Sequence, residues 1–269
     1  MLGAIIGDVI GSPYEVGSHK RKNFQLFEPS CRPTDDSIMT IAVGCACAET
    51  DCSDEESFKQ QVIEKMKYLG LMYPNAGYGD RFYKWMALDE TEPYGSYGNG
   101  SAMRVSPAAW LFGTMEDVRR VARLSAEVTH NHPEGIRGAE ATAAVVFAAR
   151  MGQSKTEIRR LMTEEFGYDL NRTCDEIRPG YYHQESCQKT VPEAFTAFLE
   201  GESFEDVIRT AVSLGGDCDT LTAIAGSVAE AYYGVPEELR ERAFGRLTPD
   251  LQEILAAAEA AVMPVIRLQ

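Results

Sequence analysis

Between Thr34 and about Glu49 the apolar residues Ile38, Ile41, Ala42, Cys45 and Ala46 return every three or four positions. That spacing draws an apolar stripe down one side of a helix. The same period predicts helices over 54–69, 116–127, 134–151, 154–165, 203–213, 219–233, 236–245 and 248–262. Alternating runs of the kind a half-buried strand needs are scarce. The stretches EGIRGAEATAAVVFAAR from 134 and LTAIAGSVAEAYYG from 221 are rich in small apolar residues, so they are expected to be central, closely packed members. The pattern predicts an all-α fold. Two segments resist it: the Gly- and Tyr-rich stretch 73–105 and the stretch 168–187. Long irregular segments within a compact domain are often functional.

Composition narrows the picture without changing it. The 269 residues are 44% hydrophobic and 25% charged, with no linker and no internal repeat, so one domain over 1–269 is expected. Twenty-six Lys and Arg stand against 41 Asp and Glu, a net charge of −15. Extended nucleic-acid binding, which depends on basic patches that release counterions, is therefore not expected. The one dense basic cluster, HKRK at 19–22, reads as a solvated loop. Seven cysteines without a CxxC pair suggest reduced thiols in a cytoplasmic protein, with neither a disulfide frame nor a structural zinc. Asp8 interrupts the N-terminal apolar run, and no basic region precedes it, so the chain is expected to be neither secreted nor membrane-anchored. The oligomeric state is not encoded legibly; a monomer is the default.

The chemistry concentrates in two short stretches about 180 residues apart, PTDDSIMT at 33–40 and GGDCDTLT at 215–222. In the first, Thr34 is suited to cap a helix whose first turn holds Asp35 and Asp36, where exposed amides favour negative charge. Capping alone explains one such site. In the second, Asp217 and Asp219 would diverge by roughly 200° on a regular helix at ~100° per residue. A shared target requires a bend, which Gly215 and Gly216 permit. Four carboxylates flanked by the hydroxyls of Thr34 and Thr220 make an all-oxygen ligand set, suited to Mg²⁺ or Mn²⁺ rather than zinc. Two divalent ions would cancel the four charges.

Five blocks in order carry a family resemblance: GAIIGDVIGSPYE at 3–15, TDDS at 34–37, GNGSAMRVSP at 98–107, VTHNHP at 128–133 and GGDCDT at 215–220. The sequence resembles the ADP-ribosylglycohydrolases over nearly its whole length. The resemblance implies a single multi-helix orthogonal domain with two Mg²⁺ or Mn²⁺ held by Thr34, Asp35, Asp36, Asp217, Asp219 and Thr220. Ser37 stands where the family usually has threonine, and Cys218 fills a variable position. Glu15 matches a glutamate implicated in gating or proton handling, while Asp8 reads as structural. Glu15, Asp35, Asp36 and Asp219 are the expected catalytic set. Asn99, Gly100 and Ser101 would let backbone amides approach a diphosphate. Arg104 is expected either to meet a phosphate or to form a helix-packing ion pair. Gly79, Asp80 and Tyr97 fall at the expected mouth, Tyr97 as a platform for adenine. His130 is expected near the phosphate or ribose; neither it nor His132 is expected to bind metal.

The implied reaction is hydrolysis of the bond between C1 of the distal ribose of ADP-ribose and an acceptor, on an ADP-ribosylated protein or a small conjugate. Arginine, serine, an O-acetyl ester and a nucleic-acid base all remain open as acceptors. The alternative is a non-catalytic ADP-ribose-binding or structural relative of the crystallin type. A terpenoid-synthase DDxxD motif is excluded, because Met39 stands where its third acid would be.

Overall fold

The computed structural model describes residues 1–17, 19–88 and 91–263. The last six residues of the expected domain, and Asp89 and Glu90 of the first irregular segment, lie outside them. Helices joined by loops make up the described residues: α1 (Leu2–Gly11), α2 (Asp35–Glu49), α3 (Glu55–Met72), α4 (Asp80–Ala87), α5 (Gly100–Met103), α6 (Ser106–Leu111), α7 (Met115–Glu127), α8 (Pro133–Arg150), α9 (Lys155–Arg160), α10 (Cys174–Ile177), α11 (Cys187–Glu200), α12 (Phe204–Leu214), α13 (Cys218–Tyr233), α14 (Glu237–Phe244) and α15 (Pro249–Ala260); the stretches expected to be irregular hold α4, α5 and α10. Among the described residues the only sheet-like pairing is one antiparallel bridge between Gly98 and Ser186. No helix among them is long and apolar enough to cross a membrane.

Helix starts follow side-chain capping. Thr34, Asp54, Thr114, Ser154, Thr173, Ser203 and Thr248 each accept a hydrogen bond from an amide in the first turn that follows. The expected helix over 154–165 is α-helical only to Arg160 and continues as a π-type turn over Leu161–Glu165. Helices α1 and α11 were not among those expected, although Leu2, Ile5, Ile6, Val9 and Ile10, and Cys187, Val191, Ala194, Phe195 and Phe198, recur at helical spacing. Every residue of α1 is buried. Helix α11 contains Pro192 and buries Thr190, Glu193 and Thr196 beside its apolar residues.

The core is organised by α1, α8, α11 and α13, and the closest pairing is α1 against α13. Gly3, Gly7 and Gly11 recur every four residues along one line of α1. A β-carbon at Gly3 would lie 2.3 Å from the Gly226 carbonyl oxygen, and one at Gly7 2.2 Å from the Thr222 carbonyl oxygen. One at Gly11 would lie 2.7 Å from the Asp219 α-carbon. The two backbones therefore touch, which fixes the start of α13 relative to Asp8 on α1. Protein interiors are packed too tightly to absorb a side chain at such a seam.

All seven cysteines are buried and unpaired. The basic cluster is more engaged than a solvated loop. Lys20 Nζ donates to the carbonyls of Leu214 and Tyr181, so it covers the C-terminal end of α12 and ties down the 168–187 segment. Lys22 pairs with Asp206 at 2.6 Å.

Candidate active site

The N-terminal ends of α2, α5 and α13 meet beside a cavity of about 570 Å³. That size falls within the ordinary range of small-molecule sites. Its acidic wall comes from the two Asp-containing stretches.

At α2, Thr34 is extended (φ −110°) and its Oγ1 accepts from the Asp36 amide at 3.3 Å. Asp8 of α1 is fully buried and holds this turn from behind. It accepts from the Thr34 amide at 2.9 Å, Thr34 Oγ1 at 2.6 Å, the Ser37 amide at 3.0 Å and Ser37 Oγ. A structural role for Asp8 matches this geometry, and the hydroxyl at Ser37 is used. At α13, Gly215 and Gly216 have φ of 69° and 80°, a left-handed bend open to glycine. A β-carbon at Gly216 would also lie 2.6 Å from the Tyr181 ring. The bend leaves Asp217 at the cap position, outside the helix, and Asp219 in its first turn, so the divergence expected on a regular helix does not arise.

The two stretches touch. Thr220 Oγ1 donates to Asp36 Oδ2 at 3.2 Å, and Asn99 Nδ2 donates to Asp217 Oδ2 at 2.6 Å. Carboxylate oxygens of Asp8, Asp36 and Asp219 lie within 4.8 Å of one another. Asp35 lines the same cavity, anchored by its amide to the Ala76 carbonyl at 3.0 Å. Glu15 follows a single 3₁₀ turn after α1 and reaches the cavity half-buried.

The electrostatics of this wall are severe. Burial pushes Asp35 up to about 8 and Asp8 up to about 6; for Asp35 the charges of Asp8 and Asp217 add to it. Burial, then the neighbouring carboxylates, raise Asp36 and Asp219 well above the usual carboxylate range. Asp217 rises through burial, and Glu15 through burial and then the charge of Asp217. So many carboxyls in one buried place must be protonated or neutralised by a cation. Asp36 Oδ1 is buried with no hydrogen-bond partner, although nearly all buried polar atoms have one. An oxygen-only donor set with an orphaned carboxylate oxygen fits a hard divalent cation. Asp35, Asp36, Asp217, Asp219 and Thr220 all line the cavity; Thr34 is buried behind them.

The opposite wall comes from the two irregular segments. Gly98 and Gly100 pass close to His130: a β-carbon would lie 3.4 and 3.2 Å from its Nε2. Arg104 Nη2 donates to Thr129 Oγ1 at 2.9 Å, and Thr129 Oγ1 bonds His130 Nδ1 at 2.7 Å. Every group is satisfied if Thr129 donates to Nδ1, an assignment that leaves the proton on Nε2 beside the glycine turn. Burial, then the charges of Arg104 and Arg81, hold His130 well below its ordinary value, so the imidazole is neutral.

The remaining expected contacts divide. Gly79, Asp80, Asn99 and Gly100 line the cavity. Asn99 spends its side-chain amide on Asp217 and on Thr190 Oγ1, the latter at 3.1 Å, so it positions an acid rather than standing free for substrate. Ser101 is fully buried, outside the cavity lining, and donates to the Gly135 carbonyl at 2.7 Å. Tyr97 is 52% exposed, also outside the lining, with its ring edge-on to His132 at 5.4 Å. Arg104 lines the cavity but is 1% exposed; its Nη2 bonds the Ser125 carbonyl and Thr129, and among the described residues it forms no ion pair. Burial lowers it to about 10.

Sequence reasoning did not single out Arg81, Tyr94, His183 or Glu185, which line the cavity. His183 Nε2 meets Glu185 Oε1 at 2.9 Å. The 181–187 strip is held against the glycine turn by the Asn99 amide on the Glu185 carbonyl at 2.7 Å and the Cys187 amide on the Tyr97 carbonyl at 3.0 Å. Periodicity carries no trace of such loop pairings.

The sequence model of the ADP-ribosylglycohydrolase family matches residues 1–266. ADP-ribosylhydrolase ARH3 of Homo sapiens is 27% identical, over 93% of this chain and 90% of that protein. The Bos taurus protein of that name is 29% identical over 91% and 87%. ADP-ribosyl-[dinitrogen reductase] glycohydrolase of Rhodospirillum rubrum is 26% identical over 88% and 85%. A solved structure titled ADP-ribosylglycohydrolase-related protein complex superposes with a TM-score of 0.63 over 97% of both chains at 24% identity, a likeness of fold.

Proposed function

The chain belongs to the ADP-ribosylglycohydrolase family, and we propose that it hydrolyses the bond between C1 of the distal ribose of ADP-ribose and an acceptor side chain or small conjugate. The observation that carries the reading is the meeting of Thr34, Asp35 and Asp36 with Asp217, Asp219 and Thr220 around an orphaned Asp36 oxygen. Those six residues would hold two Mg²⁺ or Mn²⁺, which when bound supply charge to lower the pKa of water and to bind the ribose hydroxyls.

The protein's own groups do the rest. Asp8 fixes the first turn of α2 through four hydrogen bonds, and Asn99 fixes Asp217, so the acids are oriented before substrate arrives. Burial and then the charge of Asp217 raise Glu15, and its carboxylate, which lines the cavity, accepts the proton of the attacking water. His130, neutral, offers its Nε2 proton together with the backbone around Gly98–Gly100 to the anionic part of the substrate. The complete ligand set argues against a non-catalytic relative.

The test offers purified protein ADP-ribosylated arginine peptides, serine peptides and nucleic acid, with Mg²⁺, with Mn²⁺ and with EDTA. Release of ADP-ribose from one class, lost with EDTA and reduced at least ~10³-fold in Asp36→Asn, is the expected result. Undiminished turnover in that variant would refute the reading.

A further inference from the structure

The cavity is electrically lopsided. Asp35, Asp36, Asp217, Asp219 and Glu15 crowd one wall, and Asp80 and Glu185 add charge at its edge. A diphosphate entering such a basin is repelled unless a cation faces it. Four cationic or potentially cationic side chains line the cavity: Arg81, Arg104, His130 and His183. Arg104 is buried, with Nη2 spent on Ser125 and Thr129, His130 is neutral, and His183 is engaged by Glu185.

Arg81 differs from all three. It stands in the first turn of α4, exposed, and among the described residues no carboxylate pairs with it. Its guanidinium lies over the Tyr94 ring, 4.8 Å from the centroid, and one Nη donates to the Tyr94 carbonyl. Tyr94 in turn lies 6.2 Å from the His130 ring, beside the glycine turn. The stack and the single bond fix the plane of the guanidinium, and among the described residues its remaining N–H donors have no protein partner. A planar fork held in place and free of carboxylate is suited to bidentate contact with a phosphate.

We propose that Arg81, held by Tyr94, is a specificity-determining residue that grips the diphosphate of the substrate beside His130 and the Gly98–Gly100 turn. The inference rests on the ADP-ribose reading above. It assigns to an arginine on α4 the role that the sequence had offered to Arg104.

The experiment measures ADP-ribose binding by calorimetry in Mg²⁺ buffer at two ionic strengths for the natural protein, Arg81→Gln and Arg81→Lys, with melting temperatures and with kcat and KM on the cleaved conjugate. Arg81→Gln is expected to raise Kd and KM at least about tenfold, to leave kcat within about twofold, and to flatten the salt dependence. Arg81→Lys should fall between, since a point charge replaces a fork. An Arg81→Gln protein that binds within twofold of the natural one overturns the inference and leaves the ADP-ribose reading standing. A loss with unchanged salt dependence and a lowered melting temperature also overturns it, because the residue would then only brace α4. A natural protein that does not bind ADP-ribose removes both.

Discussion

The two walls of the cavity are built in opposite ways. The acidic wall sits on the first turns of long, buried helices, clamped where α1 and α13 touch backbone to backbone. The facing wall is made of the first turn of α4 and of loops tied together by main-chain hydrogen bonds, with exposed side chains such as Arg81 and His183. Reaction chemistry needs charges that do not relax, and helix packing supplies that rigidity. Recognition tolerates variation, and loops supply it. A disturbance of the first wall should therefore abolish function or folding, whereas changes to the second should grade affinity.

The largest effect is expected at the helix seam. Gly7→Val places a branched side chain where a single β-carbon already meets the Thr222 carbonyl at 2.2 Å. A loss of about 3 kcal/mol or more is expected, a large share of an ordinary domain's stability. Denaturant unfolding of the variant checks it, and a stability within about 0.5 kcal/mol of the natural protein would mean the seam is softer than drawn.

Next comes pH. Asp35 and Asp8 are raised by folding, from the ordinary carboxyl value of 3.8 to about 8 and about 6. A group raised in this way favours the folded state below its unfolded pKa, and the advantage is lost as pH climbs to the folded value. Chelated protein should therefore lose melting temperature between about pH 4 and 8, and Mg²⁺ or Mn²⁺ added near pH 8 should restore it. A flat profile, or no gain from the ions, would show that the acids do not confront one another.

Asn99 tests the join between the walls, since it belongs to the glycine turn and serves an acid. Asn99→Ala should lower activity about 10- to 100-fold, with more metal needed for half-maximal rate. A change in KM alone would place Asn99 with substrate instead. The smallest effect is expected at Tyr97. Loss of a base-stacking ring costs about 1–3 kcal/mol, or roughly fivefold and upward. Exposed and outside the cavity lining, Tyr97→Ala should shift KM by less than about threefold. A larger rise would return the adenine to it.

What the sequence made legible follows the same division. Most of the longer helices were readable from their period, and the two acid stretches from composition and spacing. Helices α1, α4 and α11 were not expected, although their apolar residues recur at helical spacing: α1 is itself punctuated by glycines, α4 sits among glycines and tyrosines, and α11 contains Pro192. The bend at Gly215–Gly216 was anticipated; the service of Asn99 to Asp217 was not, since it depends on residues 118 positions apart. Ser101 occupies a turn that does face the cavity, yet its side chain is directed into the core, and Arg104 reaches the lining with Nη2 spent on Ser125 and Thr129. A motif locates a turn; only packing decides which of its side chains face inward. Arg81 stands on α4, within a stretch expected to be irregular, and Tyr94, His183 and Glu185 lie in loops, where sequence offers location and nothing about partners.

The most direct test of the metal-centred account is calorimetric titration of chelator-treated, dialysed protein with Mn²⁺, alongside Asp36→Asn and Asp219→Asn. The account predicts two ions per chain in the natural protein, with at least one lost in each variant. Natural protein that takes up no Mn²⁺, or variants that bind as it does, would contradict it.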